Sequence, residues 1–585
     1  TAPRASPPRR RATLPPAVAR ATAATPPERR PHGRAPLLVT LLALAAALLT
    51  PAASAAQQST AGSTARTPVP SSLPATPSDY EIGPREALRI ADGDPTVVRE
   101  RARRGELTAD VDTEPVRAWE VGYFDDGEKV ILVVVDGVSG EILDSWTGIQ
   151  VAWPMARGRQ GQFGHLLNAP YVWIPLAAIF FLGLLDWRRP GRFVHLDLLV
   201  LLSFGISQAF FNAAEISASV ALYYPPLLYL LARMLWVGFG GRSAPLRPTL
   251  PIRAIVVLCV LLAVFRVTIA VADSGVIDVG YAGVIGADRI SDAEPIYGEG
   301  AFPDNNPTGD TYGPANYFAY VPFEQVFPWS GAWDKLLAAR AAALFFDLFC
   351  IAGLIVLGRR LAGNRLAATL AFAWLAYPYT DFVLQSNSND ALLAALLIWS
   401  LALFAKPLAR GALLALAAAT KFAPLALAPL YLAGHRGLAG VRRRDRDRLR
   451  PALLYVGAFV ATAVLMLAHP AIDPGLATFW ERTVGSQAGR ESPFSIWGQV
   501  DLGTLHTLVK LAAVALALIV ALLPRQRTMG QLGALAAAVM IAVQLTAEHW
   551  FYLYIVWFLP MLLLAIAAGA RPAGSRARQH LPSPG

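Results

Sequence analysis

Long apolar runs alternate with short polar segments over most of the chain beyond residue 165. A helix that crosses a bilayer needs about 20 mostly apolar residues, so runs close to that length predict membrane-spanning helices. The pattern therefore predicts a mainly α-helical, polytopic membrane protein with about eleven spans. The predicted spans lie near 170–186, 196–212, 218–238, 252–271, 337–357, 364–382, 388–405, 452–468, 505–523, 529–546 and 551–568.

Composition and charge lead to the same prediction. The chain is 55% hydrophobic and only 16% charged, whereas soluble domains carry about 25% charged residues. The basic residues behind the net charge of +10 lie largely between apolar runs, which is how membrane proteins mark their cytoplasmic side. Nucleic-acid binding is therefore not predicted. Cys259 and Cys350 both lie inside apolar runs, which argues against a disulfide framework or a cysteine zinc site.

The distribution of arginine and lysine predicts the orientation of the spans. Basic clusters such as Arg188-Arg189 and Arg359-Arg360, together with the tail 569–585, are assigned to the cytoplasmic side. The segments left on the outer side carry the polar residues that suggest chemistry. Their convergence on one face predicts an extracytoplasmic site built from 272–336, 385–390, 469–504 and Glu548-His549.

One segment does not fit as a simple span. The apolar run 411–434 is followed by 441–448, the most basic stretch of the chain, and a single crossing would place that stretch outside. Pro424 removes a backbone donor and interrupts the helix. We therefore predict a re-entrant hairpin of two half-helices with Lys421 at its tip, since irregular backbone at membrane depth must line a cavity or be buried in protein.

The N-terminal part of the chain differs in composition from the predicted spans. Residues 1–34 are rich in Pro, Ala and Arg without periodicity, which is typical of disorder. The apolar run 37–49, followed by Ala53-Ser54-Ala55, is typical of a secretory signal peptide, with a retained anchor as the alternative. Residues 1–56 are thus interpreted as a disordered N-terminus with a signal peptide, and 57–77 as a linker.

A small exported α+β domain is predicted over 78–150. Helical stretches at 84–91 and 97–105 precede two strand-like runs at 119–123 and 130–135. The patterns W-E-V-x-Y at 119–123 and V-I-L-V-V-V-D-x-x-S-G-E-I at 130–142 resemble the PepSY-like domain. That resemblance implies a binding or modulating role, and a simple lid or spacer is the alternative.

The segment 271–335 is unusually long for a connection between two spans, and long loops are usually functional or disordered. Acidic residues crowd it, and aromatic residues and prolines lie between them. The aromatic content argues against disorder. We interpret the segment as the floor of an active site at a membrane surface.

Three charged residues are candidates for chemistry. Asp278, a few residues beyond a predicted span, suits a general base that takes a proton from a hydroxyl, with a solvated loop acid as the alternative. Lys421 in an apolar run needs a partner such as a phosphate, unless it extends to the headgroup region. Arg490 offers a rigid donor fork for a phosphate, unless it pairs with Glu491.

Polar residues at two further positions are candidates for binding. Asn389 and Asp390 open a predicted span, where they also suit a helix N-cap. His549 is placed to donate to a phosphate or sugar oxygen, although a histidine in an interfacial aromatic belt is equally ordinary. The sequence contains no nucleotide-binding P-loop and no H-E-x-x-H or G-x-S-x-G motif.

Several motifs recur in a recognisable order. They are Asp278, Pro295-Ile296-Tyr297, Thr311-Tyr312-Gly313-Pro314, S-N-S-N-D at 386–390, G-A-L-L-A-L-A-A-A-T-K-F-A-P at 411–424 and H-W-F-Y-L-Y-I-V-W-F-L-P at 549–560. The set resembles the GT-C superfamily of membrane glycosyltransferases, and within it glycosyltransferase family 87, the polyprenol-phosphate-mannose-dependent α-mannosyltransferases. The resemblance covers 250–568, with 165–245 as accessory helices. The family usually has Tyr-Pro-Pro where this chain has Tyr-Gly-Pro.

The resemblance implies a function. A hexose such as mannose would pass from a polyprenyl-phosphate donor to a lipid or glycan acceptor on the outer face of the plasma membrane, with inversion. Asp278 would be the base. No cofactor or metal is implied, although loop acids leave a divalent cation open. Donor-binding residues would be Lys421, Arg490, His549, Tyr312, Asn389, Asp390 and Tyr297. The alternatives are a transporter or flippase of lipid-linked glycans and a PepSY-bearing sensor without catalysis.

Overall fold

The computed structural model describes residues 73–114, 117–161, 164–241, 243–303, 305–333, 336–438, 446–486 and 492–568. These residues form two compact units that divide at 162–163. The predicted signal peptide and the basic tail 569–585 lie outside the described residues, as do most of the predicted linker and all of the segment 439–445.

The first unit is a four-stranded antiparallel sheet with two helices. Helices α1 (Pro84–Asp92) and α2 (Pro95–Arg104) precede strands β1 (Thr108–Glu114), β2 (Ala118–Asp125), β3 (Glu128–Asp136) and β4 (Ile142–Thr147). The strands pair in sequence order, and a short helix α3 (Ile149–Ala152) follows. The predicted small α+β domain is thus present, with two outer strands that the sequence pattern did not indicate.

A single apolar core holds this unit together. Trp119, Val121 and Tyr123 of β2 alternate with outward-facing residues and are buried with Val133 of β3 against Ala87 of α1. This is the period of two that a half-buried strand requires. The indole Nε1 of Trp119 also donates to the carbonyl of Ile82, at 2.8 Å, and so ties the chain before α1 to the sheet.

The second unit is mainly helical. Among the described residues, six helices are long and apolar enough to cross a membrane, namely α5 (Phe193–Asn212), α6 (Ile216–Gly238), α7 (Ile252–Asp273), α10 (Leu337–Ala362), the part 449–472 of α16 (Arg446–Ile472) and α19 (Gly503–Leu522). The other helices are α4 (Pro170–Leu184), α8 (Asp278–Ser291), α9 (Pro314–Glu324), α11 (Asn364–Ala376), α12 (Pro378–Gln385), α13 (Asp390–Ala402), α14 (Pro407–Thr420), α15 (Ala428–Ala433), α17 (Leu476–Trp480), α18 (Ile496–Gln499), α20 (Met529–Leu545) and α21 (Ile555–Ala568).

Five predicted spans correspond to shorter apolar helices. Their longest helical pieces, α4, α11, α13, α20 and α21, have 13 to 17 residues. The predicted span 364–382 divides at Pro378, which begins α12, because the residue before a proline avoids helical geometry. Helices α13, α20 and α21 are buried on nearly all sides and form the centre of the unit.

The helices of this unit begin and finish at two opposite ends of the unit. At one end, Arg360 at the close of α10 donates to the carbonyl of Ala402 at the close of α13. Arg365 at the start of α11 donates there to the carbonyl of Pro248, just before α7. We call this the basic end. The other end, where α7 finishes and α13 begins, carries the residues 274–336, and we call it the loop end.

The segment predicted as a long loop is largely folded. Glycines 280, 283 and 286 line one face of α8, where a Cβ atom would lie 2.3 Å from the carbonyl oxygen of Asn387, 2.7 Å from the ring of Tyr320 and 2.1 Å from the ring of Tyr317. This glycine spacing lets α8 pack closely on α9 and on the turn before α13. The segment 271–335 therefore contributes two packed helices, α8 and α9, to the loop end.

The segment 407–433 turns back on itself. Helix α14 rises about 21 Å and ends at Lys421, after which the 3₁₀ turn Ala423–Leu427 and α15 return about 19 Å. The return is complete because a Cβ atom at Gly434 would lie 3.3 Å from Nη1 of Arg410 in the first turn of α14. The segment is thus a hairpin that starts and finishes at the basic end, with Lys421 at its tip.

Candidate functional site

The site at the loop end begins with the turn that precedes α13. Asn387 adopts a positive φ of 49°, a conformation that asparagine tolerates better than most residues, and its Nδ2 donates to the carbonyl of Gly275, at 2.8 Å. The amide of Ile277 donates to the carbonyl of Ser386, at 3.2 Å. These contacts fix the start of α8 against the turn.

Asp278 is the first residue of α8 and is half-buried. Its main-chain oxygen accepts a hydrogen bond from Nδ2 of Asn306, at 3.0 Å. A carboxylate in the first turn of a helix is stabilised by the free N–H groups and the helix dipole. The predicted base therefore lies beside the turn that leads into Asp390.

Asp390 is almost completely buried, at 1% exposure. Its Oδ1 accepts from Nζ of Lys421, at 2.6 Å, and from Nε1 of Trp557, at 2.7 Å. Oδ2 accepts from the hydroxyl of Ser388, at 2.8 Å. Charged and neutral donors together compensate the cost of burying the carboxylate.

Lys421 lies at the break between the two arms of the hairpin. Its ammonium group is surrounded by the rings of Tyr312, Tyr554 and Trp557, whose centroids lie 5.8, 5.5 and 5.1 Å from Nζ. Aromatic faces attract a cation at these distances. An ammonium has three N–H groups, and among the described residues only Asp390 is an acceptor for them. The sequence predicted a phosphate as partner, whereas the structure supplies a carboxylate.

Tyr312 is held in this cage through its main chain. Its carbonyl accepts from the hydroxyl of Tyr297, at 3.0 Å, and its amide donates to the hydroxyl of Tyr317, at 3.3 Å. Burial raises the pKa of Tyr297 and of Tyr317 well above the usual value, so both hydroxyls stay protonated. Tyr297 thus positions the loop instead of facing the ammonium.

Gly313 allows the loop that carries Tyr312 to pack against the end of α14. Its amide donates to the carbonyl of Thr420, at 3.3 Å, and a Cβ atom at this position would lie only 2.0 Å from the carbonyl oxygen of Ala419. A proline here would lose the hydrogen bond and clash. The glycine in Tyr-Gly-Pro therefore brings the loop against the end of α14, which places Tyr312 beside Lys421.

An ion pair that the sequence did not indicate fixes the outer part of the loop. Nε and Nη2 of Arg482 contact the two carboxylate oxygens of Asp310 at 2.5 and 2.9 Å, and Nη2 also donates to the carbonyl of Pro307. The hydrogen bond to Asp310 raises the pKa of Arg482. The two residues lie 172 positions apart, so no local pattern could pair them.

The other predicted residues lie at different distances from Lys421. Nδ2 of Asn389 donates to Oδ1 of Asn316, at 2.7 Å. Nδ1 of His549 lies 3.0 Å from the hydroxyl of Ser492, and its ring lies 6.3 Å from that of Tyr554. His549 thus lies next to the cage, beside Tyr554. Arg490 lies outside the described residues.

Buried polar atoms without partners lie beside Asn389. Oδ1 of Asn389, Nδ2 of Asn316 and the hydroxyl of Tyr320 have no hydrogen-bond partner within the described part of the chain. Buried polar groups are normally satisfied, so these atoms have capacity for water or a polar ligand. Throughout the described part of the chain, no group of three or more His, Cys, Asp or Glu side chains is arranged to hold a metal ion.

Comparisons with known proteins add no assignment to this geometry. No protein-family model matches the chain, and a search of curated proteins finds no significant match.

Proposed function

We propose that this protein is a membrane glycosyltransferase that moves a hexose from a polyprenyl-phosphate donor to a lipid or glycan acceptor. The observation that supports it most directly is the Lys421 ammonium, held by Asp390 within an aromatic cage at the same end as Asp278. A lysine with N–H groups to spare suits a phosphate leaving group, and aromatic rings suit an isoprenoid chain or a sugar face.

The proposed reaction needs a base and a cation. Asp278 accepts the proton of the acceptor hydroxyl, whose oxygen attacks the anomeric carbon opposite the phosphate. The bond between that carbon and the phosphate oxygen breaks, its electron pair stays on the departing polyprenyl phosphate, and the configuration inverts. Lys421 stabilises the charge that develops on the phosphate. No nucleotide takes part.

The remaining residues have supporting roles in this proposal. Asn389 binds sugar hydroxyls through the unpartnered oxygen of its amide. His549 and Arg490 contact the phosphate as the donor enters, and Tyr297 holds the loop that carries Tyr312. Metal is not required by any of these steps.

The membrane arrangement is part of the proposal. The arginines of the basic end favour a cytoplasmic position for that end, so the loop end and the N-terminal unit would face outward. The second unit would be a GT-C-like fold with about eleven spans and a re-entrant hairpin, in the plasma membrane. The first unit would be a PepSY-like domain that modulates the enzyme.

The test uses the purified full chain in detergent. The protein is incubated with polyprenyl-phosphate-linked mannose and a membrane lipid extract, and mass spectrometry follows released polyprenyl phosphate and new hexose-bearing product. We expect Asp278→Asn to abolish turnover. Asp288→Asn, which removes a carboxylate from the same helix, is the matched control and should retain it. Turnover that survives Asp278→Asn would refute the assigned base.

A transporter of lipid-linked glycans is the second candidate, because interrupted helical hairpins with charged tips also occur in transporters. Proteoliposomes loaded with the lipid-linked sugar separate the two activities. Movement of the intact sugar lipid between leaflets, without released phosphate and unchanged in Asp278→Asn, would favour the transporter. Neither activity in a folded sample would favour a sensor.

A further inference from the structure

Two arginines at the basic end are almost completely buried. Arg410, in the first turn of α14, is 6% exposed, and Arg527, between α19 and α20, is 5% exposed. A guanidinium group stays charged in proteins, so its burial is costly unless its donors and charge are matched. We therefore ask which groups accept the hydrogen bonds of these two arginines and which groups balance their charge.

Their hydrogen bonds satisfy only part of the two groups. Nη1 of Arg410 donates to the carbonyl of Phe404, at 3.2 Å. Nη2 of Arg527 is 3.3 Å from the carbonyl oxygens of Ala521 and Pro524. Nε of Arg410, and both Nε and Nη1 of Arg527, are buried without a hydrogen-bond partner within the described residues.

The charge of the two groups is also unmatched. Within the described part of the chain no carboxylate forms an ion pair with either arginine or affects its ionisation. Arg410 lies over the rings of Phe404 and Tyr455, at 4.7 and 5.2 Å, and rings compensate a cation only partly. Burial lowers the pKa of Arg527 to about 10, which is the direction expected for a cation without a counter-charge.

The two guanidinium groups flank one short turn. A Cβ atom at Gly434 would lie 3.3 Å from Nη1 of Arg410, and one at Gly437 would lie 2.9 Å from Nη2 of Arg527. His435 lies between these glycines, and its carbonyl accepts from the amide of Arg527, at 2.9 Å. The turn 434–437 thus gathers three basic side chains from three parts of the chain.

The chemistry of these groups matches a phosphate. The edge of a guanidinium presents parallel N–H donors that bind phosphate oxygens bidentately, and the unpartnered Nε atoms belong to such edges. Basic pockets at helix ends bind the phosphate of lipid headgroups. The sequence that follows, 442–450, has six arginines and two aspartates, which makes the surroundings more attractive to an anion.

We propose that Arg410, Arg527 and His435 form a phosphate-binding site at the basic end, on the far side of the unit from Lys421. The bound group is a phosphate, either free in solution or in the headgroup of a phospholipid. It accepts hydrogen bonds from the unpartnered guanidinium N–H groups and supplies the missing negative charge. The site does not depend on the glycosyltransferase proposal.

Binding is measured on the full chain, purified in a phosphate-free maltoside detergent. One arm measures equilibrium binding of radiolabelled inorganic phosphate. The other arm adds phosphatidylglycerol and counts retained lipid by native mass spectrometry, with diacylglycerol as the phosphate-free lipid. Binding in the first arm alone identifies free phosphate, and lipid retention that diacylglycerol does not reproduce identifies a headgroup. Absence of both in the wild-type protein would overturn the proposal.

Variants test whether Arg410 and Arg527 form the phosphate-binding site. We expect Arg410→Gln and Arg527→Gln each to weaken phosphate or phospholipid binding by about ten- to a hundredfold, since each removes charge-assisted hydrogen bonds. Arg360→Gln is the matched control, because it removes an exposed arginine of the same end that binds only a carbonyl. Arg527→Lys keeps the charge and should bind more tightly than Arg527→Gln. Equal loss in Arg360→Gln would show attraction to surface charge and refute the site.

Discussion

The candidate site at the loop end and the Arg410–Arg527 cluster at the basic end differ in how their charged side chains are compensated. At the loop end, Lys421 pairs with Asp390 and Arg482 pairs with Asp310. At the basic end, Arg410 and Arg527 are almost completely buried but donate only to main-chain carbonyls among the described residues. The two loop-end cations thus have a carboxylate partner before any ligand arrives, whereas Arg410 and Arg527 have none among the described residues.

This difference has consequences for ligand binding. The ion pair with Asp390 fixes the position of the Lys421 ammonium. Two of its N–H groups remain available, so the ammonium can still bind an anionic ligand. An unmatched pair of guanidinium groups raises the free energy of the empty protein, and a bound anion lowers it again by mass action. We therefore expect the loop end to be rigid when empty and the basic end to gain stability from its ligand.

The largest effect should come from separating Lys421 and Asp390. Lys421→Met leaves the carboxylate buried without its cation, which should reduce the free energy of unfolding by about 3–5 kcal/mol and turnover by at least about 10²-fold. The double variant Lys421→Met/Asp390→Asn removes both charges and should recover most of the stability but none of the activity. Thermal unfolding in detergent and the transfer assay measure the two effects. Additive losses of stability would show that the pair is not coupled.

A smaller effect is expected at the loop that carries Tyr312. Gly313→Ala introduces a Cβ atom 2.0 Å from the carbonyl oxygen of Ala419, so the loop must shift away from α14. We expect a loss of about 1–3 kcal/mol in unfolding free energy, together with reduced turnover. Gly457→Ala is the control, because a Cβ atom there meets nothing within 4 Å and should be neutral or slightly stabilising. Unchanged turnover in Gly313→Ala would show that the position of Tyr312 is not critical.

A pH effect is expected at the basic end. Burial lowers the pKa of His435, and the charges of Arg410 and Arg527 lower it further. Because the unfolded chain then binds the proton more readily, stability should be fully present above the ordinary histidine pKa and fall as the pH drops below it. His435→Gln should flatten this decrease in thermal stability. Added phosphate should also flatten it, by offsetting the arginine charges.

The opposite pH effect, and the smallest, is expected at the loop end. Burial raises the pKa of Asp288, and the neighbouring carboxylates of Glu324, Asp292 and Glu294 raise it further. The folded protein binds the proton more readily here, so stability should decrease as the pH rises above the ordinary aspartate pKa. Asp288 is partly solvated, which reduces the effect. Asp288→Asn should therefore be slightly more stable than the wild type at neutral pH, and a decrease would contradict the sign.

Sequence patterns predicted the parts of the fold that local physics controls. The apolar runs gave the helical unit, and period-two alternation around Trp119 gave the sheet of the first unit. Pro424 and the basic run after 434 predicted an interruption near Lys421, where the structure places the turn of the hairpin. How many of the helices cross a membrane stays a prediction.

The contacts of the site could not be predicted, because they join distant parts of the chain. Asp390 meets Trp557 across 167 positions and Arg482 meets Asp310 across 172. The length, the acidic residues and the aromatic content of 271–335 predicted a long loop that forms the floor of a site. The stronger signal was the spacing of Gly280, Gly283 and Gly286, which only becomes informative once a neighbouring helix is known.

The length of the hairpin determines the position of Lys421. Both of its feet are fixed at the basic end by the packing around Arg410 and Gly434, so the depth of the ammonium group is set by a count of residues. Lys421 follows Arg410 by 11 positions (421 − 410), which corresponds to about 16 Å of helix. One residue inserted into α14 would advance the tip by about 1.5 Å and rotate it by about 100°, turning Lys421 away from its cage. The number of residues in α14 thus determines how far the Lys421 ammonium extends from the basic end.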